Sequence, residues 1–209
     1  MKTPETPFET LVEIRTLMER SSRFISLSGL SGVFAGFFAL MGALAAYFYL
    51  EYDLSFQRSM YDSQNLLRFD KLSFIIIDAL IVLLMALGFG FYFTYRKARR
   101  LGLPMWDKTT YRLLENLFIP LAAGGIFCLI LIYRGYISLV APSTLIFYGL
   151  ALHNGGKYTL DDIRFLGISE IILGIIALIF NGYSLLFWAI GFGFMHIWYG
   201  ARMYMKYER

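Results

Sequence analysis

The chain has 209 residues, of which 58% are hydrophobic, 18% aromatic and only 16% charged, with a formal net charge of +4. A soluble domain usually carries about 25% charged residues, so this composition excludes an ordinary soluble enzyme, and the positive balance reflects basic residues clustered beside long apolar runs, with no direct nucleic-acid binding expected. One cysteine, Cys128, excludes an intramolecular disulfide framework.

Residues 1–22 predict a cytoplasmic amphipathic helix. Thr6-Pro7-Phe8-Glu9 has the form of a capping box with proline at the first helical position, and Phe8, Leu11, Val12, Ile14, Leu17 and Met18 give an apolar face. Such a helix lies on the inner leaflet or offers a docking face to a cytoplasmic protein partner.

Six apolar runs follow, at about 24–50, 72–95, 116–133, 138–154, 163–180 and 184–204. The expected fold class is therefore all-α: a polytopic membrane protein whose six transmembrane helices form three hairpins in one bundle over 23–204. In the first run Ser28, Gly32 and Gly36 recur at four-residue spacing. Small residues let helix backbones approach closely in lipid, either within the bundle or across a homo-oligomer interface. The second run carries Asp78 and is followed by Arg96, Lys97, Arg99 and Arg100, which are expected to meet lipid headgroups, with Trp106 as an interface anchor. Arg134-Gly135-Tyr136 breaks the third run from the fourth, and Asn181-Gly182-Tyr183-Ser184 turns the fifth into the sixth. Residues 205–209 are expected to form a cytoplasmic tail.

Charge orients the bundle. With the N-terminus inside, only Arg58, Arg68, Lys71 and Arg134 of the 19 basic residues fall in outer segments. Both termini are then cytoplasmic, in a bacterial inner membrane.

Three ionisable residues at depth are the candidate functional residues, because such groups are costly in hydrocarbon. Glu170 lies about 9 Å from the inner end of the fifth run, at 1.5 Å per residue. Reflection through the turn at 182–183 places His196 opposite it, so a hydrogen-bonded Glu170–His196 pair across the hairpin is expected. Asp78 has a weaker candidate partner in Arg134, snorkelling from the outer side. The pair serves either as a static clasp or as a protonatable element of a transport or sensing cycle.

Other chemistries lack support. His153 and His196 without further context do not define a haem site, and Cys128 reads as inert packing. Gly88-Phe89-Gly90 and Gly191-Phe192-Gly193 lack the Gly-Lys-Ser/Thr of a phosphate loop. No metal cluster, cofactor or catalytic constellation is expected. The two Gly-Phe-Gly-Phe stretches, with Tyr148-Gly149 in the fourth run, suggest a weak hairpin repeat.

Ser22-Arg23-Phe24-Ile25-Ser26-Leu27-Ser28-Gly29-Leu30-Ser31-Gly32, Ile119-Pro120-Leu121-Ala122-Ala123-Gly124-Gly125, Leu145-Ile146-Phe147-Tyr148-Gly149-Leu150 and the segment from Gly191 to Tyr204 carry a resemblance over most of the chain. They resemble a family of six-span bacterial inner-membrane proteins with no assigned activity. The resemblance implies membrane location. With no catalytic set, the expected function is a non-enzymatic sensor, accessory or scaffold module. The alternative is a small proton-coupled transporter or channel using Asp78, Glu170 and His196.

Overall fold

The computed structural model describes residues 24–51 and 69–209. The predicted N-terminal amphipathic helix and most of the outer loop 51–71 lie outside the described residues. Helix α1 spans Gly29–Glu51, α2 Phe69–Leu101, α3 Lys108–Tyr133, α4 Val140–Gly155 and α5 Asp161–Ile179. The last helix has two halves, α6 Ser184–Trp188 and α7 His196–Tyr207, joined by a π-helical segment over Ala189–Met195. No strand occurs among the described residues.

Helix ends follow local chemistry. Gly102 and Gly135 adopt positive φ (64° and 81°) just past α2 and α3. At each end two backbone N–H groups reach back to the last turn: Leu103 to Ala98 and Gly102 to Arg99, then Tyr136 to Leu131 and Gly135 to Ile132. This is the Schellman arrangement, which needs a left-handed residue that glycine supplies without strain. Asp107 caps α3 by accepting from the Thr110 N–H at 2.7 Å. Inside α3, Pro120 has no N–H to give to the carbonyl of Asn116. The Asn154 side-chain amide of α4 donates to that carbonyl at 3.2 Å, so the defect becomes a link between helices.

Several boundaries differ from the apolar runs. The first helix starts at Gly29 rather than at 24. Phe24 is held in a non-helical pairing, its N–H on the Tyr158 carbonyl and its carbonyl accepting from the Thr159 hydroxyl, both at 2.7 Å. Helix α2 continues through the basic cluster to Leu101 and α3 begins at Lys108, because helix-forming polar residues extend each helix past its apolar part. Residues 205–209 are not a free tail: α7 runs to Tyr207, and Glu208 folds back onto α1.

Among the described residues, five helices are long and apolar enough to cross a membrane: Gly29–Tyr49, Leu72–Leu101, Lys108–Tyr133, Ile137–Tyr158 and Ser184–Tyr207. Helix α5 has 19 residues and carries Asp161, Asp162, Arg164 and Glu170. Large apolar side chains such as Leu84, Leu87, Phe118, Leu129 and Ile179 stand exposed on the outside of the bundle, as a lipid-facing surface requires.

The helices pack in two groups. One holds α2, α1 and α7 and the other α3, α4 and α5, with α6 and the π segment at the seam between them. Close backbone contact builds each group. A Cβ added to Gly200 would lie 2.6 Å from the Val33 nitrogen, and one added to Gly36 would lie 2.5 Å from the Gly193 carbonyl oxygen. Gly32 likewise faces Gly200. The Gly32 and Gly36 positions, read above as a candidate homo-oligomer face with Ser28, are thus occupied by the last helix of the same chain. Gly149 and Gly167 bring α4 and α5 together in the same manner, each lying against the other's carbonyl. Phenylalanine packing joins α1 to α2, with Phe34 stacked on Phe93 at 4.9 Å and on Phe89 at 5.4 Å.

The two Gly-Phe-Gly-Phe stretches play different parts. Gly88 and Gly90 face open space, whereas Gly193 touches Leu40 and Gly191 touches Glu170 and Leu145. Gly200→Ala is therefore expected to lower stability by about 1–3 kcal/mol through forced separation of α7 from α1. Gly88→Ala is expected to be neutral or stabilising by up to about 1 kcal/mol. Thermal unfolding of the two purified variants in one detergent checks the contrast.

Candidate functional site

The seam is where the deep polar residues meet. Glu170 projects from α5 with no exposed surface, and His196, the first residue of α7, is 6% exposed. His196 Nδ1 lies 3.4 Å from Glu170 Oε1. The structure thus brings together the two residues placed at one level by reflection through the turn.

The hydrogen bonds run elsewhere than across that pair. His196 Nδ1 is 3.0 Å from the Gly191 carbonyl oxygen. A carbonyl only accepts, so Nδ1–H donates. His196 Nε2 is 2.8 Å from the Tyr148 hydroxyl of α4, which donates to the neutral imidazole and accepts from the charged one. Neither Glu170 oxygen has a hydrogen-bond partner among the described residues. A buried carboxyl group without donors is costly, so the nearby imidazole N–H is the group that limits its cost.

The π segment makes room for this arrangement. A Cβ on Gly191 would collide with Glu170 Oε2 and fall 2.6 Å from Leu145 Cδ2. Only glycine at this position leaves space for the carboxylate. The His196 backbone N–H goes to the Gly193 carbonyl, and its side chain takes the Gly191 carbonyl. Around the imidazole, Tyr148, Phe192 and Trp188 form an aromatic sequence: Tyr148–Phe192 at 4.8 Å, Phe192–His196 at 5.8 Å and Trp188–Phe192 at 4.9 Å. Tyr148 and Gly191 were not singled out as site residues from the sequence. The only signal for Tyr148 was its recurrence with Gly149 in a repeat-like motif, and a π segment has no sequence signature of its own.

Asp78 sits elsewhere. It is half-buried on α2, its Oδ2 3.2 Å from the position of a Cβ on Gly42 of α1. Arg134 is exposed beyond the end of α3, and no ion pair joins it to Asp78 among the described residues. The expected partnership is not formed because α2 packs on α1 and not on α3.

A second polar cluster gathers at the other end of α7. Buried Asp162 of α5 accepts from the Tyr207 hydroxyl at 2.9 Å and from Lys206 Nζ at 3.2 Å, with Arg202 Nε at 3.4 Å. Glu208 accepts from the Gly29 N–H at 2.6 Å and from the Ser28 hydroxyl at 3.2 Å. A carboxylate at a helix N-terminus satisfies orphan N–H groups and suits the helix dipole. Lys97 Nζ donates to the Leu27 carbonyl at 2.7 Å and lies 3.6 Å from Glu208. Lys97, expected to meet headgroups, is therefore turned inward and buried, while Arg96, Arg99 and Arg100 stay exposed. Ser28 is likewise engaged within the chain. These contacts join residues up to 180 positions apart, which explains why local sequence did not reveal them.

No metal-holding group of His, Cys, Asp and Glu occurs among the described residues. Both His196 ring nitrogens are engaged, so a haem ligated by His196 would have to break one of these bonds. Cys128 is buried between α3 and the start of α4, its Sγ 4.0 Å from the Val140 carbonyl. Comparison with family models, curated proteins and solved structures gives no match.

Two expectations test the site. His196→Ala is expected to cost about 3 kcal/mol, because it removes the side-chain donor to the Gly191 carbonyl and the positive end of the N–H dipole nearest a buried carboxyl; Tyr148→Phe should cost about 1 kcal/mol. At the second cluster, Lys97→Met is expected to cost about 2 kcal/mol, against less than about 0.5 kcal/mol for exposed Arg99→Ala. Denaturant titration in mixed micelles ranks all four.

Proposed function

We propose that the chain is an integral protein of the bacterial inner membrane with six crossings and both termini cytoplasmic, acting as a non-enzymatic sensor, accessory or scaffold module. Helix α5 is the sixth crossing. Its charges support this: Asp161, Asp162 and Arg164 lie at the end predicted to be cytoplasmic, and Glu170 is fully covered by packing. The orientation is supported by the inner excess of basic residues. Arg96, Arg99 and Arg100, exposed and without ion pairs among the described residues, meet anionic headgroups.

The observation that carries the reading is the way the deep polar groups are used. Glu170, His196 and Tyr148 come from α5, α7 and α4 and are spent on holding the seam. Glu170 has no exposed surface and lines no open path for a solute. One observation favours proton-coupled transport as a second reading: both Glu170 oxygens lack hydrogen-bond partners among the described residues, as a proton-accepting group requires.

Reconstitution separates the two. Liposomes holding the purified chain are expected to keep an imposed pH gradient as long as empty liposomes do. A leak that Glu170→Gln removes would replace the sensor reading with the transporter. Single cysteines near each terminus, in a Cys128→Ser background, are expected to react with an impermeant maleimide only after the inner face is opened.

A further inference from the structure

We propose that Glu170 is a proton-binding site whose occupancy sets the register of the last helix through His196. The inference rests on the reading of the chain as a membrane sensor and supplies that reading with a signal and a moving part.

The basis is a competition for one hydrogen. The imidazole Nδ1 carries a single N–H, and two acceptors face it: the Gly191 carbonyl at 3.0 Å and Glu170 Oε1 at 3.4 Å. A charged acceptor makes a hydrogen bond roughly twice as strong as a neutral one. With a proton on Glu170, the N–H stays on Gly191 and anchors the π segment. With that proton released to water, the N–H turns to the carboxylate, and the Gly191 carbonyl loses its side-chain donor. The groups facing Glu170 are few: among the described residues, His196 from α7 and Tyr148 beyond it from α4 are titratable, while Gly191 and Leu145 complete the contact.

A π segment is an α-helix carrying one residue too many. Such segments are rare and cluster at functional sites. Relaxation of Ala189–Met195 to an α-helical ladder turns one half of the helix against the other by about 100° and shifts it by about 1.5 Å. The packing decides which half moves. Helix α7 is pinned to α1 through Gly200 and Glu208 and to α5 through Asp162. Helix α6 is five residues long, and its Ser184 hydroxyl donates to the Ser138 carbonyl at 3.5 Å, a longer bond than those from Tyr207 and Gly29 that pin α7. The outer half therefore turns, carrying Trp188 away from Phe192.

Trp188 reports the motion. In the full chain in lipid nanodiscs, Trp106→Phe and Trp198→Phe leave it as the single tryptophan. Its emission maximum and the infrared carboxyl band that Glu170→Gln removes are followed over one pH titration. The expected result is that both change with the same midpoint, and that Glu170→Gln abolishes both. Deleting Ile190 takes out the surplus residue, so the carboxyl band should still titrate while Trp188 no longer responds. The proposal is overturned by a carboxyl band that does not titrate, by one that titrates without Trp188, or by a Trp188 response that survives either change. The liposome leak measurement bears separately on the sensor reading: a leak there removes that reading without altering what Trp188 reports.

Discussion

A carboxyl group placed where neither water nor a full set of donors reaches it has to be accommodated by what surrounds it, and Glu170 has one imidazole N–H within 3.4 Å, which itself donates to the Gly191 carbonyl. Much of the seam follows from that constraint. His196 must stand at the same level on the neighbouring helix. Gly191 must lack a side chain, and the last helix must open into a π segment at that point. Tyr148 then fixes the far side of the imidazole from α4. Three helices are tied at one point, and the point lies between the two packed groups.

The rest of the bundle is built from backbone proximity. Glycines at 32, 36, 149, 167 and 200 let helices touch main chain to main chain, where dispersion and weak polar contacts replace the hydrophobic drive that lipid does not supply. The same residue type with open space around it, as at 88 and 90, has no packing role. Polar anchors complete the design at the end predicted to be cytoplasmic, where Asp162 and Glu208 receive donors from distant parts of the chain. The last helix is thus gripped at one end, clasped in the middle and lightly held beyond.

This distribution has a consequence for function. Deep polar groups that line an open path serve transport, whereas groups enclosed by packing serve cohesion or switching. Glu170 belongs to the second kind by its burial, and its oxygens have no hydrogen-bond partner among the described residues. In the proposed sensor this group stands beside the π segment, the element proposed to change its register.

The sequence by itself determined the helical membrane class, because runs of apolar residues of this length leave the backbone no alternative in lipid. It also determined the level at which Glu170 and His196 meet, since a tight turn at 182–183 and a fixed rise per residue leave little freedom. Helix ends were legible where glycine or proline marks them, as at Gly102 and Gly135. Tertiary structure alone decided which helices are neighbours. It separated Asp78 from Arg134, turned Lys97 inward and set the small residues of α1 against α7. It also gave the His196 N–H to Gly191 rather than to Glu170. Those choices depend on contacts between residues far apart in the chain, and helical periodicity within one segment carries no information about them.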